Sequence, residues 1–192
     1  MENVAKLKLT PLSLDAAQGR VKDALDTAMK QTGMIPNMYA NMSNSPGLLE
    51  TYLFGYNQFR KESGFTPAEQ EVVFLTISRF NECTYCMAAH SMIAEAVSKT
   101  PAQAIAALRA DQPIEDSKLQ ALSAFTRVMV ESRGRPTSDE VKAFISAGYS
   151  ERQVLEIILA MAVKTISNYS NHVFHTDVDA RFASHAWQPQ AR

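Results

Sequence analysis

The sequence is poor in the residues that build β-hairpins and has no excess of charge of either sign. Its 192 residues include only seven glycines, and no Asn-Gly or Asp-Gly pair joins two alternating segments, although such pairs are the strongest short hairpin signal. Its 19 basic and 20 acidic residues leave a formal charge of −1. We therefore expect a helical protein whose main partner is neither nucleic acid nor an anionic membrane.

The chain also lacks long apolar segments. No run of about 18 apolar residues is present, which argues against a membrane-spanning helix. The most apolar stretch, Val154 to Val163, contains Glu156 and is followed by Lys164, so we expect a buried core helix there. The first residues carry no apolar segment of the secretory type. We therefore expect a cytoplasmic protein, in a reducing compartment where a close cysteine pair is more often catalytic or metal-binding than structural.

The remaining pattern predicts one all-α domain, a helical bundle spanning residues 1–192. About 46% of the residues are apolar, enough for one sizeable core. We expect an N-terminal helical extension to about residue 45 and a polar tail from about residue 186. Capping boxes, prolines and glycines mark the helix ends. They predict helices over about 14–32, 38–42, 46–63, 67–80, 83–98, 101–112, 116–131, 138–147 and 151–167.

A shift of 85 residues suggests an internal helical repeat. It aligns Glu71 with Glu156, Cys83 with Asn168, Cys86 with Asn171 and His90 with His175. Because amphipathic helices resemble one another, the alignment has an ordinary explanation besides a duplicated unit. If the duplication is real, the first copy kept its thiols and the second copy is a structural or interface element.

The only two cysteines form a Cys-x-x-Cys pair, Cys83 and Cys86, followed by His90. On a helix these three positions share one face. A free thiol has a pKa of about 8.5, and both a helix start and a neighbouring imidazole can lower it. Once one thiol is oxidised to a sulfenic acid, the other can condense with it to a disulfide. The spacing therefore predicts a redox dithiol.

Glu71 lies on the predicted helix before the cysteine pair, twelve residues ahead of Cys83. If the two helices pack against each other, its carboxylate could orient His90 or relay protons to the thiols. The alternative from sequence is an exposed acid near a helix start. For His90 the alternative is an ordinary buried histidine.

Zinc is a further possibility, because Cys83 and Cys86 with two of His90, His172 and His175 would make four ligands. The spacing is unlike that of zinc fingers, so we expect no metal and no bound cofactor. His172 and His175 are expected to cap the last carbonyls of their helix. We expect the stripe Leu48, Tyr52, Gly55 and Phe59 to serve core packing or a subunit contact. We expect His185 and Trp187 to pack in the fold or to lie in an interface.

With Glu71, Cys83, Cys86 and His90 together, the chain resembles the carboxymuconolactone decarboxylase superfamily, and more narrowly its alkyl hydroperoxidase D-like branch of peroxidase-related proteins. The family pattern is Glu, eleven residues, Cys, two residues, Cys, three residues, His, and it is complete here. The resemblance extends from about Gly33 to Asp177. It includes the segments Ile35-Pro36-Asn37, Ser45-Pro46, Thr66-Pro67-Ala68-Glu69 and Asn168-Tyr169-Ser170-Asn171-His172.

The resemblance implies an all-helical fold that assembles into dimers, trimers or hexamers, and a thiol peroxidase activity in antioxidant defence. It assigns Cys86 as the peroxide-reacting thiol, Cys83 as the resolving thiol, and Glu71 with His90 as the proton relay. The best-known hydroperoxidases of this type carry a second histidine just before the later cysteine, where this chain has Tyr85. A tyrosine titrates near pH 10 and is a poorer base, so weaker turnover or another redox task is expected.

The function that we expect is a thiol-dependent hydroperoxide reductase. Its substrate would be a small-molecule hydroperoxide, and an external dithiol or redox protein would reduce the resulting disulfide. Two other functions stay open. One is a lyase for a lactone carboxylate with Glu71 and His90 as acid and base, although the decarboxylase branch normally lacks the cysteine pair. The other is a non-catalytic, oligomeric helical binding module, with or without zinc.

Overall fold

The helix that follows the first predicted capping box forms the centre of the protein. In the computed structural model, which describes residues 4–189 apart from the side chains of residues 31 and 32, Pro67–Phe80 is helical and Val72–Ile77 are buried on every face. A helix without an exposed face has to be surrounded by other helices. The capping box itself is present, since Thr66 and Glu69 exchange side-chain to backbone hydrogen bonds.

Over the described residues the chain forms nine α-helices, one short 3-10 helix and no strand, which confirms the predicted all-α fold class. The α-helices are α1 (Gly19–Thr32), α2 (Asn37–Met42), α3 (Pro46–Glu62), α4 (Pro67–Phe80), α5 (Thr84–Ala96), α6 (Ala102–Ala110), α7 (Ser117–Glu131), α8 (Ser138–Ser146) and α9 (Glu151–Phe174), and the 3-10 helix is Ala180–His185. The central α4 packs against α5, α6, α7 and α9, while α3 packs against α1, α2 and α9. Among these helices none is both long and apolar enough to cross a membrane.

The N-terminal extension is less helical than predicted. The first helix begins at Gly19 instead of residue 14, because residues 14–16 form a turn that the Ser13 hydroxyl caps through the Ala16 backbone N–H. Before this turn the chain is irregular and is held by backbone bonds, such as that from the Leu7 N–H to the Val173 carbonyl. The predicted absence of a secretory segment concerns in part residues 1–3, which lie outside the described residues.

The last long helix continues to Phe174, seven residues beyond the predicted end at about Ser167. Serine and asparagine have low helix propensity, but burial and local bonds such as Ser170 Oγ to the Ile166 carbonyl keep this part helical. His175 ends α9 with a left-handed backbone, and its Nε2 lies 3.1 Å from the Val4 carbonyl oxygen. The prediction that the His175 side chain caps the carbonyls of its own helix is therefore wrong.

The C-terminal segment is anchored to the helical core. Trp187 is buried and its Nε1 donates to the Arg109 carbonyl at 2.9 Å, as predicted for a packing residue. Residues 190–192 of the predicted tail lie outside the described residues. The suggested internal repeat stays a prediction. Its first segment, with Glu71 to His90, lies on two helices, α4 and α5, whereas its second segment lies on the continuous α9 and ends at His175.

Helices α3 and α9 approach each other most closely at Gly55. A Cβ atom built there would lie 2.9 Å from Val163 Cγ2, which is shorter than side-chain packing permits. Tyr52, Gly55 and Phe59 are buried, so the predicted stripe on α3 is indeed a core face. This contact brings α9 close to the centre of the protein.

We expect the substitution Gly55→Ala to destabilise the fold by about 1–3 kcal/mol, because the stiff, branched Val163 side chain has to move. Urea unfolding at neutral pH measures this change. Gly47→Ala is the matched control, since it lies on the same helix and a Cβ there has nothing within 4 Å. The control should keep or slightly raise stability. Equal behaviour of the two variants would contradict a tight α3–α9 contact.

Candidate active site

The cysteine pair lies at a sharp junction between α4 and α5. Glu82 has a left-handed backbone with a φ of 54°, which is uncommon outside glycine and asparagine. The Cys83 N–H then donates to the Ser78 carbonyl at 2.9 Å, and Cys83 becomes the N-cap residue of α5. Cys83 and Cys86 are both free and buried, and they lie 3.6 Å apart. The cysteine pair therefore lies at the start of a helix, as predicted.

Glu71 and His90 are in direct contact, as the sequence suggested. His90 Nδ1 lies 2.8 Å from Glu71 Oε2, and the Arg60 guanidinium forms a salt bridge with the other carboxylate oxygen. The Ser98 hydroxyl donates to that second oxygen at 3.3 Å. Glu71 is 0% exposed, so it is not the exposed acid of the alternative interpretation. Three helices, α3, α4 and α5, meet in this cluster.

The surroundings define the charge states of this pair. Burial alone would raise the pKa of Glu71, but His90 and Arg60 outweigh it and the pKa lies below its usual value. Burial, with the charge of Lys164, lowers the pKa of His90 despite the nearby Glu71. At neutral pH Glu71 is therefore ionised and His90 is neutral. The His90 Nδ1–H then donates to Glu71, and Nε2 is the ring nitrogen that can accept a proton.

The two thiols differ in acidity. Hydrogen bonding to Cys86 and burial raise the pKa of Cys83 well above its ordinary value. Burial would also raise the pKa of Cys86, but the Cys83 hydrogen bond and the positive charge of Lys164 bring it well below that value. These opposite shifts favour keeping the proton on Cys83, so that Cys86 is the more acidic thiol of the pair.

Helix α9 contributes residues that the sequence interpretation did not place in the site. Asn171 Nδ2 lies 3.4 Å from the Cys86 sulfur and 3.8 Å from the Cys83 sulfur. Asn168 accepts a hydrogen bond from Asn81 at 2.9 Å, beside the same junction. The 85-residue alignment paired Asn171 with Cys86 but assigned the second copy to structure or interface. The other available signal was Lys164, a charged residue at the end of the most apolar run.

The site opens on a cavity of about 400 Å³ beside α5. Both Cys86 and His90 line it, whereas Cys83 and Glu71 do not. The rest of the wall is mostly apolar and aromatic, and its aromatic members are Tyr39, Tyr52, Tyr56, Tyr85 and Phe182. A ligand in this cavity can therefore reach the Cys86 sulfur and the imidazole but not the buried Cys83 or Glu71.

The Tyr85 hydroxyl is bound to a residue outside the motif. Its hydroxyl donates to Asp179 Oδ2 at 2.5 Å, and the same carboxylate accepts from the backbone N–H of Asn37 at the start of α2. Burial, and then this bond to Asp179, raise the pKa of Tyr85. Tyr85 therefore fixes the segment before the 3-10 helix to α2 and shapes the cavity wall.

His185 and His172 have their contacts with residues other than the two cysteines. His185 Nε2 lies 2.6 Å from Glu95 Oε2, and His172 stacks on Tyr169 with ring centroids 6.2 Å apart. Within residues 4–189 no group of three or more His, Cys, Asp or Glu side chains is arranged to hold a metal ion. The zinc interpretation thus has no ligand set in this part of the chain.

The fold and the site together define a helical protein with a buried dithiol and a Glu–His pair. Residues 48–127, which contain all four motif residues, match the carboxymuconolactone decarboxylase family. Over these residues the match confirms the resemblance to this family that was seen in the sequence. No curated protein matches the chain.

Several solved structures share the fold over nearly their whole length. An uncharacterized peroxidase-related protein from Ralstonia eutropha JMP134, described as an alkylhydroperoxidase AhpD core, has 17% identity and a TM-score of 0.80 over 95% of this chain and 96% of its own. A peroxidase-related protein from Silicibacter sp. TM1040 has 20% identity and a TM-score of 0.74 over 92% and 95%. A cysteine-to-alanine variant of the debrominase Bmp8, in complex with 2,3,4-tribromopyrrole, has 16% identity and a TM-score of 0.76 over 95% and 97%. At these identities the likeness concerns the fold.

We expect Glu71→Gln to destabilise the protein by roughly 3–5 kcal/mol, because the variant keeps the side-chain shape but leaves the Arg60 charge without its partner. Denaturant unfolding at neutral pH measures the loss. Since the pKa of Glu71 is lowered by folding, its contribution is present above the unfolded value of about 4.3. It is lost as the pH falls through the folded pKa, so the difference from wild type should shrink in acid.

Glu50→Gln is the control for that experiment. It removes the carboxylate of an exposed salt bridge to Arg20, with an oxygen–nitrogen distance of 3.2 Å. Exposed pairs contribute little, so the control should unfold like wild type. If the Glu71→Gln protein were as stable as this control, the Glu71 carboxylate would not be the ionised partner of Arg60.

Proposed function

We propose that this protein is a thiol-dependent hydroperoxide reductase. The observation that carries the proposal is the placement of Cys86, the more acidic thiol of a pair 3.6 Å apart, on the wall of a mostly apolar cavity. A low-pKa thiolate with a second thiol in reach is the arrangement that reacts with peroxides and then resolves as a disulfide. The family segment and the peroxidase-related proteins of the same fold support this assignment.

In the first step the Cys86 thiolate attacks the hydroperoxide oxygen that bears the hydrogen. A sulfur–oxygen bond forms, the oxygen–oxygen bond breaks, and the alkoxide takes up a proton and leaves as an alcohol. Cys86 is then a sulfenic acid. His90 Nε2, with Nδ1 anchored on Glu71, is the nearby group through which protons pass between the site and solvent.

In the second step the Cys83 sulfur attacks the Cys86 sulfur. The disulfide forms, the sulfur–oxygen bond breaks, and the hydroxide combines with the Cys83 proton and leaves as water. The net result is reduction of one hydroperoxide to alcohol and water and oxidation of the dithiol. An external dithiol or redox protein restores both thiols by exchange, without a bound cofactor.

We expect wild type to consume cumene hydroperoxide in the presence of dithiothreitol and Cys86→Ser to lose this activity. Cys83→Ser should still react once and stop as a Cys86 sulfenic acid, which dimedone labels and mass spectrometry detects. The two variants are matched controls for each other, because each replaces one buried thiol by a hydroxyl. Equal peroxide consumption by wild type and Cys86→Ser would refute the proposal.

Reductive debromination of a halogenated aromatic ring is the second candidate function. The aromatic cavity wall favours a planar ring, and the debrominase Bmp8 has the same fold. After protonation of the ring carbon, the Cys86 thiolate would take the bromine as a sulfenyl bromide, and the carbon–bromine bond would break. Cys83 would then displace bromide and form the disulfide, so that two electrons from the dithiol replace bromine by hydrogen.

Bromide release from 2,3,4-tribromopyrrole with dithiothreitol tests this second candidate. We expect any release to need both Cys86 and Cys83, and the rate relative to cumene hydroperoxide decides which substrate class the cavity serves. If wild type releases no bromide but still consumes peroxide, debromination is refuted and hydroperoxide reduction remains as the proposed function.

The geometry gives less support to the lyase. Both Glu71 oxygens are engaged, one by Arg60 and Ser98 and the other by His90, and Glu71 does not line the cavity. An acid–base pair for a lactone carboxylate would need the carboxylate to face its substrate. A homo-oligomeric state, a cytoplasmic location and the identity of the reductant stay predictions of the sequence and its resemblance.

A further inference from the structure

Lys164, in the middle of α9, is a buried cation that no carboxylate of the described residues pairs with. It is 1% exposed, and its Nζ forms no hydrogen bond with any residue that the structure describes. The Nζ lies 5.4 Å from the centroid of the Phe74 ring, and the His90 ring centroid lies 4.9 Å from the same ring. Burial of an unmatched ammonium costs several kcal/mol, and an anion near Lys164 would offset this cost.

The buried carboxylates in the described part of the chain are already matched. These carboxylates and their partners are Glu69 with Lys118 at 2.9 Å, Glu71 with Arg60 and His90, and Asp179 with Tyr85 and the Asn37 backbone. The groups that remain are the two cysteine sulfurs, of which the Cys86 sulfur is the one nearer to Asn171 of α9. Asn171, two turns after Lys164 on the same face of α9, holds its amide nitrogen 3.4 Å from that sulfur.

We propose that Lys164 is the counter-ion of a Cys86 thiolate, and that its charge decides which of the two cysteines is ionised. Lys164 and Asn171 then form a third part of the site, on a helix that carries neither a cysteine nor a member of the Glu–His pair. This proposal deepens the dithiol function proposed above.

The electrostatic surroundings support this role. The Lys164 charge lowers the pKa of Cys86, and it lowers the pKa of Cys83 and of His90 as well. The other titratable groups around the sulfur are neutral or paired. They are His90 and Tyr85 on α5, Tyr39 on α2, Tyr52, Tyr56 and Arg60 on α3, Glu71 on α4 and His172 on α9.

Lys164→Met tests the proposal, because it removes the charge and nearly keeps the shape. The measurement is the rate of Cys86 alkylation by iodoacetamide across pH, with the modified residue located by peptide mass spectrometry. We expect the midpoint to rise by at least about one pH unit, so that alkylation measured below the wild-type midpoint becomes at least about tenfold slower. Lys164→Arg, which keeps the charge, should restore fast alkylation.

The stability of Lys164→Met separates an electrostatic role from a structural one. In this variant Cys86 can take up a proton, so that no buried charge is left unpaired. Replacing a buried ion pair by uncharged groups is often neutral or stabilising, so the variant should unfold at the same or higher denaturant concentration. A residue kept only for packing would instead lose stability and leave the alkylation profile unchanged. Lys118→Met removes a cation elsewhere in the protein and should not move the Cys86 midpoint.

An alkylation profile of Lys164→Met identical to that of wild type overturns the proposal, and so does an equal shift in Lys118→Met. If the methionine variant does not fold, Lys164→Gln provides the same readout. If neither neutral variant folds, Cys86→Ser and Cys83→Ser are compared by denaturant unfolding. Loss of the anion should make Cys86→Ser the less stable of the two, and equal stability overturns the proposal. Alkylation needs no peroxide, so the proposal and the peroxidase function can fail separately.

Discussion

The pairing of Glu71 with Arg60 and His90 is the interaction on which the geometry of the site depends. An isolated carboxylate at this depth would take up a proton, but a guanidinium from α3 and an imidazole from α5 keep it ionised on α4. The same contacts fix the orientation of three helices. They also fix the imidazole tautomer, since a carboxylate on Nδ1 leaves Nε2 as the accepting nitrogen. The ring nitrogen of His90 that is free to accept a proton is therefore set by the buried charges of Glu71 and Arg60.

Tyr85 shows how a residue inside the motif can serve the fold. Tyr85 lies between the two cysteines of the motif, and its hydroxyl donates to Asp179. That bond ties the C-terminal segment to the start of α2, and both line or border the cavity. His90 is the histidine that lines this cavity, and Tyr85 adds a buried aromatic side chain to the wall.

The sequence allowed prediction of features whose parts are close along the chain. Glu71, Cys83, Cys86 and His90 lie on two consecutive helices with capping signals, so helical periodicity brings them onto facing surfaces. Arg60 and Lys164 come from α3 and α9, and no spacing rule relates such distant positions to the thiols. The bond between Tyr85 and Asp179, 94 residues apart, was hidden for the same reason. The end of α9 was missed because burial outweighs the low helix propensity of its serines and asparagines.

The charge balance of the core links the resting state of the dithiol to its redox behaviour. With Lys164 as the counter-ion of Cys86, the reduced site holds two cations, Arg60 and Lys164, against two anions, Glu71 and the thiolate. Disulfide formation removes the thiolate charge and leaves Lys164 unmatched in a buried position. The pairing therefore stabilises the reduced state relative to the disulfide, and a dithiol whose reduced form is stabilised is the stronger oxidant. An external thiol would then reduce the disulfide readily after each turnover. The proposed cycle requires this reduction, because it begins from the Cys86 thiolate.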